Sequence, residues 1–188
     1  MKKFLEYAGI AASVLLIAFG IGATVVGIQG RDQVRSDLAR EQIVGTPDST
    51  IPNQLVNTGS EAQAFALVIR KHTLEATGGQ LYSQMGQFLT ASGKPTSDVK
   101  AAAIDKATGK PVPNAARTIW VTETALSTAL NTSFFAESVA TFAMVMGLAL
   151  LLTGIGFLVL VFRLPFETAG VTERRPKAAK TTAVPTPA

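Results

Sequence analysis

Two long stretches of this chain carry no charged residue, and they limit what it can fold into more than anything else in the sequence. The first runs from Tyr7 to Gly30, between Glu6 and Arg31. The second runs from Ser138 to Phe162, between Glu137 and Arg163. As helix, the 22 residues of Tyr7–Ile28 measure about 33 Å. The 25 residues of the second block measure about 37 Å, and the hydrocarbon core of a bilayer is about 30 Å thick. Both blocks are rich in Ala, Val, Leu and Ile. Only 16% of the 188 residues are charged, against about a quarter in ordinary soluble domains. The mean hydropathy is +0.31. The expected fold class is therefore an all-α membrane protein, with two transmembrane helices flanking a small helical extracytoplasmic cap.

The first block has a rival reading as a secretory signal, because Lys2 and Lys3 precede it. Its apolar run is longer than the usual signal core of about 7–15 residues. The exit, Val26-Gly-Ile-Gln-Gly30, holds no small-x-small cleavage site. An uncleaved helix is the expectation.

Orientation follows from where the cations sit. Residues 1–30 are net +1, residues 31–137 hold ten basic and ten acidic side chains, and residues 163–188 are net +3. All the excess positive charge lies on the two tails, which places both termini in the cytoplasm. Arg31, Arg35 and Arg40 stand against this, because they follow the first block directly. The expected layout is a cytoplasmic N-terminus (1–6), helix one (7–28), an extracytoplasmic segment (29–137), helix two (138–162) and a basic, disordered cytoplasmic tail (163–188). The expected location is the plasma membrane, with two passes. The pI near 9.6 comes from cations beside the spans, so it does not point to nucleic acid.

Within the middle segment, Arg31–Ile43 reads as a helical stalk. Val34 and Leu38 share a face, and the pairs Asp32/Arg35 and Asp37/Arg40 are three apart. Gly45-Thr-Pro47-Asp48 ends the stalk. A helix starting at Ser60, with a Ser60-x-x-Gln63 capping box, is expected to stop at Gly78-Gly79. A short helix over Leu81–Leu89 and a surface helix over Asp98–Thr108 follow. Asn114 caps a last helix from Ala115 that runs on into the second block. Phe65, Ile69, Leu74, Leu81, Met85 and Phe88 are the expected core.

Chemistry-bearing patterns are sparse. There is one histidine, His72, and no cysteine, so a transition-metal centre lacks ligands. His72 beside Lys71 and Glu75 is at most a pH-sensitive contact. Neither a nucleophile elbow nor a phosphate-binding glycine loop occurs. No catalytic, cofactor-binding or metal residue is assigned, and no cofactor is expected. Both blocks lack the ionisable residues that ion pathways use. They do carry small residues at packing distance: Ala23 and Gly27 in the first, Ala143, Gly147 and Gly154 in the second. Such residues let helix backbones approach closely in lipid, within one chain, with another membrane protein or with a second copy.

The stretches Asp37–Asp48, Ile69–Gly79 and Ala125–Asn131 resemble a family of uncharacterised actinobacterial two-span membrane proteins. The resemblance covers most of the chain outside the tail and implies two spans, but no mechanism. Some members carry the label aromatic ring-opening dioxygenase. One histidine and no cysteine give that label no support here. The expected role is a non-enzymatic accessory or scaffold subunit of a membrane assembly, with the bilayer as its first partner. An extracytoplasmic sensor is the alternative.

Overall fold

The computed structural model describes the backbone of residues 2–171 and the side chains of residues 3–163. Of the expected disordered tail, residues 163–171 instead continue the last helix, and residues 172–188 lie outside the described residues. Three helices dominate: α1 (Lys2–Arg40), α2 (Gly59–Ala76) and α3 (Ala115–Val171). A 3-10 turn (Tyr82–Gln84) and two short strands, β1 (Phe88–Leu89) and β2 (Pro95–Thr96), lie between α2 and α3. Both α1 and α3 are long and apolar enough to cross a membrane. The described residues form two compact units, one within residues 1–24 and 145–188 and the other residues 25–144.

In the first unit, α1 and α3 run antiparallel along a seam of small residues. A Cβ on Gly20 would lie 2.5 Å from the backbone N of Leu151 and 2.7 Å from the carbonyl of Gly147. A Cβ on Gly154 would lie 2.9 Å from the Ser13 carbonyl. Glycine costs a helix up to about 1 kcal/mol relative to alanine in water. Here it lets two backbones touch, which no other residue permits. Ser13 is fully buried and donates to the Gly9 carbonyl at 2.8 Å, so its hydroxyl is satisfied inside the seam. Thr24 does the same to Gly20 at 2.8 Å. Large apolar side chains point outward, among them Leu15, Phe19, Leu152 and Phe157.

In the second unit the core is Leu38, Val56, Ala62, Ala66 and Leu130, with Val34, Ile43, Ile51, Phe65 and Ile69 packed against it. The stalk face read from Val34 and Leu38 is thus the face that is buried. α1 ends at Arg40, and Gln42 adopts φ 54, which turns the chain back. The loop that follows is pinned by Val56 N–H to the Ile43 carbonyl (2.8 Å) and Gly45 N–H to the Gln54 carbonyl (2.8 Å). Gly45 is required there, since a Cβ would sit 2.0 Å from the Ile51 carbonyl.

α2 starts one residue earlier than expected, and its capping box is Thr58/Glu61 instead of Ser60/Gln63. The Glu61 carboxylate accepts from the N–H groups of Thr58 and Asn57, both at 2.9 Å. A charged acceptor holds these donors better than the neutral Gln63 amide would. The helix ends as read from the glycines. Gly79 N–H reaches the Leu74 carbonyl at 2.7 Å and Gly78 N–H reaches Glu75 at 3.2 Å, both glycines having positive φ.

Residues 80–113 depart from the expected helices. Leu81–Leu89 is a 3-10 turn followed by β1, which pairs antiparallel with β2 (Phe88 with Thr96, Leu89 with Pro95). Gly86 lies so close to β2 that a Cβ would be 2.4 Å from Thr96 N. Asp98–Thr108 is irregular because its acids bond locally instead of supporting a helix. Asp98 accepts from Lys100 N–H at 2.9 Å and Asp105 from Ala107 N–H at 2.8 Å. Of the expected core, Met85 is buried, Leu74 and Phe88 are half-buried, and Leu81 is exposed. Asn114 does cap α3: its Oδ1 accepts from Ala116 N–H at 3.1 Å and its Nδ2 donates to Gly86 at 3.0 Å. Trp120 on α3 is buried and donates to the Gln80 carbonyl at 2.9 Å. Arg117 donates to the Met85 carbonyl at 2.8 Å and stacks on Tyr82. Asn114 and the α3 residues Arg117 and Trp120 anchor the irregular segment.

Candidate functional site

One cluster of charges in the second unit is built on two of the three arginines that stand against the orientation pattern, Arg31 and Arg35. Arg31 and Arg35 are four apart on α1, so their side chains leave from the same face. Glu137 lies on α3 one residue before the second uncharged block. Both Nε atoms donate to Glu137 Oε1, Arg31 at 3.2 Å and Arg35 at 2.7 Å. The other oxygen, Oε2, accepts from the backbone N–H of Gly59, the first residue of α2. One carboxylate therefore ties three helices together. The expected Asp32/Arg35 pair does not form, because Arg35 turns to Glu137, while Asp37/Arg40 does form.

The electrostatics follow from that geometry. Glu137 is buried, and burial opposes its charge. The Gly59 N–H and the guanidinium groups of Arg35 and Arg31 outweigh burial and hold the carboxyl below the usual range. Two cations face one anion, so the cluster keeps one unit of positive charge. Each arginine side chain remains more than a third exposed (37% and 39%). Beside them opens a recess of about 420 Å³, lined also by Thr58, Ser60, Phe134, Ser138 and Thr141.

A second cluster fastens the loop after α1 to α2. Asp48 accepts from Lys71 Nζ at 2.7 Å, lies 2.9 Å from His72 Nε2 and accepts from Thr46 Oγ1 at 2.8 Å. The bonds from Lys71 and His72 hold the Asp48 carboxyl far below its ordinary value, and the Lys71 ammonium is held above its own. The lone histidine is thus a surface partner of Asp48. A third feature was not foreseen. Glu123 is buried and, among the described residues, accepts only from Ser127 (3.1 Å) and Thr124 (3.2 Å) on its own helix. It borders a recess of about 470 Å³ with Ile69, Ile119 and Leu126. Among the described residues no group of three or more His, Cys, Asp or Glu is gathered.

The close-packing glycines fall inside the chain. Gly147 and Gly154 are buried against α1 in the first unit. Gly27 is buried in the second, where a Cβ would lie 2.6 Å from the Ala140 carbonyl. Ala23 and Ala143 are half-buried. Ser13 and Gly20 belong to the same pattern and were missed. The signal is a spacing of seven, Ser13-Gly20-Gly27 against Ala140-Gly147-Gly154. Comparison with family models, with curated protein sequences and with solved structures finds no match.

Proposed function

We propose that this chain is a two-pass integral membrane protein of the plasma membrane, acting without catalysis as an accessory or scaffold subunit of a membrane assembly. Both termini are cytoplasmic and residues 29–137 face outward. One observation carries this reading: α1 and α3 each continue, without a break in helix, from an uncharged apolar stretch to a residue of a folded core, Leu38 and Leu130 respectively. Large apolar side chains exposed along the uncharged stretches need lipid or protein around them. A folded cap held on such helices positions a surface at the bilayer and moves no ion by itself. The in-chain seam already occupies Gly27, Gly147 and Gly154, so a partner would meet other faces. One such face is the apolar recess lined by Tyr82, Trp120, Val121 and Ala125.

Two measurements test this. The chain has no cysteine, so Ser92→Cys and Thr182→Cys are single reporters. Only Ser92→Cys is expected to react with an impermeant thiol reagent in intact cells; reaction of Thr182→Cys alone would invert the topology. After mild detergent extraction the chain is expected to migrate with a stoichiometric membrane partner. Migration as a lone 19.7 kDa protomer would defeat the accessory role.

A further inference from the structure

Of the three cations that the orientation pattern does not explain, Arg40 pairs with Asp37, whereas Arg31 and Arg35 share Glu137, which neutralises the charge of only one of them. Each guanidinium spends its Nε–H on Glu137 Oε1, and no described residue accepts a hydrogen bond from either pair of Nη atoms. The forks are thereby oriented by the carboxylate, with their remaining donors directed to solvent and to the adjoining recess. Arginine forks match the oxygens of a phosphate, and preorientation lowers the entropy lost on binding.

We propose that this recess binds a phosphate group, supplied either by an anionic phospholipid or by free phosphate. Ser60 lines it and makes no side-chain hydrogen bond among the described residues, so its hydroxyl is available as a further donor. Ser138 and Thr141 donate back to the carbonyls of Phe134 and Glu137, at 2.8 and 2.9 Å, and shape the wall without binding the ligand. The start of α2 adds a favourable field, although its Gly59 N–H is already taken. Position supports the same chemistry. Arg31 follows one uncharged block directly and Glu137 precedes the other, so both lie where a spanning helix leaves the hydrocarbon. Phospholipid phosphates occupy that level. The inference rests on the two-span reading and not on the accessory role.

The test uses the full chain in a neutral detergent. Native mass spectrometry compares retention of phosphatidylglycerol with that of diacylglycerol, which lacks the phosphate, and thermal shift compares sodium phosphate with sodium chloride at equal ionic strength. Selective retention of phosphatidylglycerol with no phosphate effect assigns the source to lipid. A phosphate-specific shift without lipid selectivity assigns it to the free anion. Arg31→Gln is expected to weaken the observed binding by about tenfold, the loss of charge-assisted hydrogen bonds. Arg31→Lys, which keeps the charge and the fold but loses the fork, is expected to weaken it several-fold. Ser60→Ala gives a smaller loss. Equal affinity for both lipids together with no phosphate effect overturns the proposal, as does an Arg31→Lys variant that binds as well as the parent chain. Binding in detergent depends on no partner and no orientation, so its failure and the failure of the accessory role are separately visible.

Discussion

Replacing Gly147 by alanine adds one methyl group, and the seam has no room for it. The new Cβ would lie 2.5 Å from both the backbone N and Oγ1 of Thr24, and 2.7 Å from the Gly20 carbonyl. Ordinary contact is about 3.5 Å, so α1 and α3 must separate by about 1 Å at that point. Thr24 Oγ1 can rotate only by giving up its bond to Gly20, and the two backbone atoms cannot move without their helix. Overpacking of this kind costs about 1–3 kcal/mol, against a helix-propensity gain for alanine of up to about 1 kcal/mol. In lipid or detergent the balance is sharper, since close packing and not water exclusion holds the helices together. Gly22 and Gly156 are matched controls, because a Cβ on either meets no atom within 4 Å. With dyes on Phe19→Cys and Leu152→Cys, both exposed, energy transfer reports separation of the helices as SDS is titrated into mixed micelles. Gly147→Ala should separate at a clearly lower SDS fraction than the parent chain, and Gly156→Ala at the same fraction or higher. If Gly147→Ala and Gly156→Ala separate together, the seam does not hold α1 to α3.

Three further predictions concern the second unit, read by the fluorescence of the single tryptophan, Trp120, during urea unfolding in detergent. Glu137→Gln removes the charge shared by Arg31, Arg35 and Gly59; with both arginines partly solvated, the expected cost is about 1–2 kcal/mol. Because the folded carboxyl lies below its ordinary 4.5, its contribution is present above that pH and is lost as pH falls through the lower folded value. The parent chain should therefore lose stability below about pH 4.5 more steeply than the Gln variant, and identical acid profiles would contradict the role given to Glu137. Leu130→Ala opens a cavity in the core and should cost about 2–4 kcal/mol, whereas an effect near zero would place Leu130 outside it. Thr58→Ala removes the capping oxygen of α2 and should cost about 1 kcal/mol, while Ser60→Ala, off the cap, should leave stability nearly unchanged.

The two long helices were legible because their signal is local. A run of more than twenty residues without charge is recognisable wherever it lies, and so are caps such as Asn114 and stops such as Gly78-Gly79. The face of Val34 and Leu38 was also readable, since helical spacing alone marks it. Leu81–Leu89 and Asp98–Thr108 are not helices, because local bonds to Asp98 and Asp105 and contacts from elsewhere outweigh the helical spacing. Gly86 against Thr96, Leu89 N–H to the Val112 carbonyl (3.0 Å) and Ala103 N–H to the Leu89 carbonyl (2.8 Å) hold the segment in turns and short strands. The core was read toward large residues, whereas α2 enters it through Ala62 and Ala66, whose small size brings its backbone close.

Two uncharged apolar runs with small residues along them are enough to mark two helices fit to cross a membrane. Which partners those small residues meet depends on how the chain folds. The fold set Gly20 against Gly147 and Leu151, and turned Arg31 and Arg35 from exceptions to a charge pattern into ligands of Glu137. Glu137 is 106 residues from Arg31 along the chain. Hydropathy acts on each residue where it stands, so it can be read in order. An ion pair or a glycine contact depends on two distant segments meeting, and no spacing within either one records the other.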